Sequence, residues 1–313
     1  MLNRRSFVAL PVVLAACKGG VPVIDLVGRT MGTTYAIKVV DHNRALTESH
    51  VKAAVDTALA ETNAALSNWD RGSDVSKFNA SASTAPQPVS TSLYEVASAA
   101  NDVRLASEGR FDIGLGPLIE LWGFGANGSA GVTPADADID AVLAQIGSNR
   151  PSLADGKITK AVAENELFLS AIGKGYGVDR VAQALRGLGA EDFMVEIGGD
   201  LVTSGRNVDG LPWQIGIETS EVFDRGIQQV VGLKNHGMAT SGDYRNYFEA
   251  DGVRYSHILD ATTGRPVTHR TASATVVTEN AMLADAWATA MLVLGTVKGL
   301  EIAKAHDLAV LFI

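Results

Sequence analysis

A single cysteine, Cys17, occurs in 313 residues, so no intramolecular disulfide can staple the chain in any redox compartment. Basic residues are also scarce: 26 Lys and Arg against 35 Asp and Glu leave a formal net charge of −9. Nucleic-acid binding rests on clustered Lys and Arg, so no nucleic-acid partner is expected. An anionic ligand would need a metal or local donors. No H-E-x-x-H or C-x-x-C spacing points to zinc, and His42, His50, His236, His269 and His306 have no ligand-like neighbours in sequence. Internal repeats are missing, and past the first residues no stretch approaches the ~20 apolar residues a spanning helix needs. The body of the chain is therefore expected to be soluble.

What is present reads as an ordinary globular chain. With 46% hydrophobic and 19% charged residues it is neither disordered nor collagen-like, and 32 glycines point to many tight turns. The chain starts with Asn3-Arg4-Arg5-Ser6-Phe7, an apolar run over 8–16, and then Cys17. That order predicts an export signal over 1–17: the paired arginines resemble a twin-arginine signal, and Leu14-Ala15-Ala16-Cys17 resembles a lipoprotein cleavage box. The expectation is a periplasmic protein anchored to a bacterial membrane by lipid on Cys17, with one domain over 18–313.

Along that domain, a turn-like stretch over 28–32 precedes a strand over 33–40. Apolar residues at helical spacing predict a helix over 47–66, and Ser92-Leu93-Tyr94-Glu95 reads as a capping box opening a second helix towards Ala106. Segments 80–88 and 126–134 read as surface loops. From Glu166 the pattern is strand (167–170), glycine turn (173–177), helix (178–188, stopped by Gly189), strand (193–197) and a Gly198-Gly199 hairpin turn. Further strands are expected over 213–218, 228–233, 244–249, 253–259 and 272–278, then a helix over 280–294. The irregular mixture predicts an α+β fold with largely antiparallel sheet and packed helices.

Three places carry possible chemistry. Gly173-Lys174-Gly175-Tyr176-Gly177 sits where backbone N–H groups and a helix N-terminus can hold phosphate, although it fails the dinucleotide spacing G-x-G-x-x-G, and a plain tight turn needs the same glycines. Asp285 and Thr289 are four apart and share one helical face, where carboxylate and hydroxyl suit Mg²⁺; a dipole-complementing acid and a threonine bonded to the preceding turn give the same pattern. His257, in Tyr255-Ser256-His257-Ile258-Leu259-Asp260, could be a general base or a structural strand histidine.

Taken in order, the motifs resemble one family. Thr30-Met31-Gly32-Thr33-Thr34-Tyr35, Asp112 with Gly116-Pro117-Leu118, Leu121-Trp122-Gly123-Phe124-Gly125 and Gly173-Lys174-Gly175-Tyr176 are similar to the ApbE family. So are Glu196-Ile197-Gly198-Gly199-Asp200, Ala239-Thr240-Ser241-Gly242-Asp243-Tyr244-Arg245, the His257 stretch and Ala281-Met282-Leu283-Ala284-Asp285-Ala286. The resemblance implies an ApbE-like fold and an FAD:protein FMN transferase that uses FAD as substrate with Mg²⁺. It implies a flavin pocket touched by Met31, Trp69, Phe111, Asp112, Lys174 and Ile258, and Mg²⁺ held by Asp285, Thr289 and the carbonyl of Ala171. A base near His257, assisted by Asp243 or Asp260, would take the proton from a Thr or Ser of an acceptor flavoprotein subunit of a membrane electron-transfer complex. Two departures stand out: Phe168 where the family usually has Asp, and Trp69 where Tyr is common. The alternatives are an Mg²⁺-dependent FAD pyrophosphatase giving FMN and AMP, with water as acceptor, and a non-catalytic flavin-binding lipoprotein.

Overall fold

The structure, a computed structural model, describes residues 20–125, 131–219, 226–243 and 246–313. The export signal with Cys17, part of the 126–134 loop, and Tyr244 and Arg245 lie outside the described residues.

The chain opens with β1 (Val23–Thr30) and β2 (Thr33–Val40), then α1 (Glu48–Leu66), α2 (Asp74–Ala80), β3 (Gln87–Pro88), α3 (Thr91–Ala106), α4 (Gly116–Leu121) and α5 (Asp136–Ser148). The middle contributes β4 (Ser152–Ala154), β5 (Lys157–Thr159), α6 (Gly173–Gly187), β6 (Asp192–Ile197) and β7 (Asp200–Ser204). Then follow β8 (Trp213–Glu218), β9 (Ile227–Leu233), β10 (Gly237–Gly242), β11 (Tyr247–Ala250), β12 (Val253–Ser256), β13 (Leu259–Asp260) and β14 (Arg265–Pro266). The chain finishes with β15 (Ser273–Thr278), α7 (Ala281–Ala305) and β16 (Ala309–Phe312).

Seven strands form one sheet in the order β1-β2-β6-β7-β10-β15-β16, antiparallel at every pairing, which is the α+β architecture expected. Alternation sets its faces. Tyr35, Ile37 and Val39 of β2 and Phe193, Val195 and Ile197 of β6 pack with Val51, Val55 and Leu59 of α1 and Val178, Val181 and Leu185 of α6. From the same strand β6, Met194 joins Leu201 and Met238 under the β8–β9 hairpin on the other side.

Helix α7 is buried along most of its length and fills the second core, with Met291, Leu292 and Val293 among α3 residues such as Leu93 and Val96. By length and composition it could cross a membrane, which corrects the reading that no such stretch exists; here it is a core helix. It also passes the expected end at 294, bending at Gly295 (φ 69°), where only a residue without Cβ fits beside the His269 ring.

Other local readings change for physical reasons. Residues 28–30 belong to β1, and the turn is only Met31 and Gly32 with φ of 49° and 72°, a two-residue turn matched to strand twist. The cap of α3 is Ser90, whose hydroxyl accepts the Leu93 N–H. Segment 167–170 is no strand. Two side-chain amides replace a neighbouring strand: Asn79 bonds both the N–H (2.8 Å) and the C=O (2.9 Å) of Leu167, and Asn68 bonds Leu167 O (2.7 Å) and Leu169 N (2.9 Å). Residues 173–177 form the first turn of α6. The strand expected over 253–259 breaks after Ser256, where the His257 N–H donates to Asn246 O and the Ile258 N–H to Ser256 Oγ.

Candidate active site

A cleft of about 730 Å³ runs between the β8 strand, the end of the large sheet and the α6–α7 contact. Its centre exists because α6 approaches α7 very closely. A Cβ at Gly175 would lie 2.2 Å from the carbonyl oxygen of Ala281, so only glycine permits the crossing. The Gly175 N–H, which at helical spacing would close on the carbonyl of Ala171, donates to Asp285 Oδ2 at 3.1 Å.

Asp285 is 3% exposed, and its other oxygen lies 3.7 Å from the Lys174 ammonium, which also pairs with Asp200 Oδ2. Burial, then the charge of Asp285, push the Asp200 carboxyl up to about 8. Burial acts to lower Lys174, but Asp200 and Asp285 outweigh it and hold the amine charged above its ordinary value. With Lys174 charged and Asp200 raised, a dication arriving beside Asp285 would favour the ionised form of the Asp200 carboxyl and so a second negative charge in the cluster. Thr289, one turn on, has its hydroxyl 3.0 Å from that of Ser241, and Ala171, Asp285 and Thr289 all line the cleft. The hard oxygens of Asp285, Thr289 and the Ala171 carbonyl are the donor types that fit a Mg²⁺ ion. Among the described residues no group of three or more His, Cys, Asp or Glu could hold a metal, so such an ion would complete its shell with water and ligand phosphate.

His257 lines the same cleft. Its Nδ1 lies 2.9 Å from the Asn246 carbonyl, an acceptor only, so Nδ1 carries the hydrogen and Nε2 keeps a lone pair. Burial lowers its pKa, opposed by the Asn246 bond and the charge of Asp243, so the ring is neutral at neutral pH.

The structure brings together His257, Phe111, Asp112, Lys174, Ile258, Ala171, Asp285 and Thr289 as cleft-lining residues. Four others do not line it. Asp243 is turned to Arg254 (2.8 Å), from where its charge still acts on His257, and Asp260 is held by Arg110 and by the Thr262 N–H and hydroxyl (2.8 and 2.7 Å). Met31 packs on Gly177 within the α1–α6 core. Trp69, 63% exposed, meets the Phe168 ring edge-on with centroids 5.7 Å apart, and it is Phe168 that lines the cleft. Sequence reasoning missed Asp200 as the partner of Lys174, and although it marked β8 as a strand it did not place it at the cleft, which β8 lines from Gln214 to Glu218. The Gly198-Gly199 turn ahead of Asp200 was the available signal for the first.

The family model described as "ApbE family" matches residues 31–312. The FAD:protein FMN transferase of Vibrio cholerae serotype O1 is 40% identical over 313 residues, covering 100% of this chain and 94% of that one. The Escherichia coli K12 protein of the same name is 34% identical, covering 93% and 84%. Among solved structures, the flavin transferase ApbE from Vibrio cholerae superposes with a TM-score of 0.87 at 39% identity, covering 94% of each chain. The apo flavinyl transferase ApbE of Pseudomonas stutzeri gives 0.86 at 38% identity, covering 94% and 91%. A matched model over nearly the whole domain, and relatives of this identity over nearly their whole length, make this chain a member of the ApbE family.

Proposed function

We propose that this chain transfers the FMN half of FAD to a Ser or Thr hydroxyl of an acceptor flavoprotein. Full-length relatives named FAD:protein FMN transferase support this, and one observation carries it. A buried carboxylate–ammonium cluster suited to a pyrophosphate and its cation shares a cleft with a neutral histidine suited to a base.

In this reading His257 Nε2 accepts the acceptor hydroxyl proton as its oxygen attacks the FMN phosphorus. The bond from that phosphorus to the bridging oxygen breaks, and AMP leaves. Lys174 faces the phosphates from α6, held in place by Asp200. A Mg²⁺ held by Asp285, Thr289 and the Ala171 carbonyl would supply charge neutralisation on the pyrophosphate. Phe111 and Ile258 give the cleft apolar walls that exclude water around planar rings. Incubation with FAD, Mg²⁺ and a candidate acceptor domain tests the reading: an FMN adduct by mass spectrometry is expected, with one AMP per adduct. AMP without adduct would instead mark a pyrophosphatase, and no AMP beyond one equivalent a storage protein.

The Cys17 stretch supports a further part of the proposal: cleavage before Cys17, lipid anchoring in the periplasm and acceptors in membrane electron-transfer complexes facing the same compartment. Cys17→Ser should move the protein from the membrane to the soluble fraction; unchanged membrane retention would overturn the anchor.

A further inference from the structure

Asp112 lines two cavities at once. One is the large cleft; the other, about 70 Å³, is lined by Arg104, Arg150, Asn101, Asn165 and Glu166 between α3 and the 149–151 turn. The carboxylate of Asp112 is 6% exposed. Its Oδ1 accepts the Gly114 N–H at 2.8 Å, and its Oδ2 pairs with Nη1 of Arg150, which lines the small cavity but not the large cleft. The backbone bearing Arg150 is itself tied down, because the Asn165 side chain donates to the neighbouring Asn149 carbonyl at 2.6 Å.

We infer that Arg150 is a positioning residue for flavin binding, acting through Asp112 without lining the large cleft. The inference rests on the FAD reading given above. A bare carboxylate in the wall of a cleft that takes a pyrophosphate would repel the ligand, and at low dielectric that repulsion reaches several ångströms. Pairing with Arg150 cancels the charge and still leaves each Asp112 oxygen a lone pair to accept a flavin N–H or O–H. The next residues repeat the device: Arg110 pairs with the buried Asp260, so the Arg110-Phe111-Asp112 strip is stapled by an ion pair on either side of Phe111, which lies against the cleft.

Equilibrium binding of FAD in the presence of Mg²⁺, read by flavin fluorescence, tests this in wild type, Arg150→Met, Arg150→Lys, Asp112→Asn and Arg150→Met with Asp112→Asn. Loss of a charge-assisted bond predicts that Arg150→Met weakens FAD binding about tenfold. Arg150→Lys should recover part of it, and Arg150→Met should have little further effect once Asp112 is Asn. In steady state KM for FAD should rise more than kcat falls, a split that loss of fold does not produce. Thermal unfolding runs alongside; if Arg150→Met is too unstable to read, Arg150→Gln, which keeps a donor, carries the same test. Wild-type affinity in Arg150→Met, or equal weakening with Asp and with Asn at 112, overturns the inference while the reading of function stands. A wild type that binds no FAD overturns both.

Discussion

Two parts of the cleft lining are built differently. Asp285, Thr289 and Lys174 stand on α7 and α6, helices of 25 and 15 residues locked together through Gly175 in the core. His257 stands between ribbons of four and two residues, β12 and β13, and its ring is held by one bond to Asn246 and an edge contact with Phe124. Charge placed against a pyrophosphate works only in a fixed position, because electrostatic stabilisation depends on dipoles and ions that do not reorganise during the reaction. A proton acceptor needs only to come within hydrogen-bond reach of a hydroxyl that arrives with the acceptor protein. Rigid helices serve the first need, and short ribbons at the rim leave room for the second.

If that division holds, damage at the helical end should cost most. Asp285→Ala should abolish FMN transfer, by roughly a thousandfold or more, while the protein still unfolds cooperatively. Activity across a Mg²⁺ titration checks it: normal turnover at low Mg²⁺ would show that Asp285 is only structural. His257→Ala should cost less, about a hundredfold or more, the usual range for a general base. Because burial disfavours the imidazolium, the acid limb of kcat/KM should fall below pH 6.5, the ordinary histidine value. The sign carries into stability. Between the lowered native pKa and pH 6.5 the unfolded chain holds a proton the folded one lacks, so His257 makes stability rise with pH there. A kcat/KM limb unchanged in His257→Ala would move the base elsewhere.

Gly175→Ala sharpens the comparison without touching a charged group. Its Cβ would meet Ala281 backbone at 2.2 Å, so α6 must shift from α7, at a cost of about 1–3 kcal/mol read by chemical denaturation. The shift should also lower transfer by displacing Lys174 from Asp285; a stable variant with full activity would show that the helical end tolerates movement. The smallest effect is expected at Trp69, which stands behind the lining residue Phe168. Trp69→Ala removes an exposed ring that meets Phe168 edge-on, and should raise KM for FAD by several-fold, worth about 1 kcal/mol, with kcat little changed.

Local rules account for what was legible. Apolar spacing marked α1, alternation marked β2, β6, β8 and β15, and Gly198-Gly199 marked a hairpin that the structure contains. Helical periodicity placed Asp285 and Thr289 on one face, and the ordered motifs identified the family. The failures share a cause. Segment 167–170 looked like a strand because its apolar alternation is real, but its hydrogen-bond partners are the amides of Asn68 and Asn79, some 90 to 100 positions away. Nor could sequence show that Asp243 and Asp260, near His257 along the chain, pair with Arg254 and Arg110.

By itself, then, the sequence determined α1, β2, β6, β8 and β15, the family and the pair of oxygens offered by α7, since each is written in local spacings and motifs. Only the tertiary structure decided which charges meet. Lys174 finds Asp200 across 26 positions, Arg150 finds Asp112 across 38, and the Gly175 amide finds Asp285 across 110. Periodicity decays within a turn or two of chain, whereas the energy of a buried charge depends on whatever packing brings within a few ångströms.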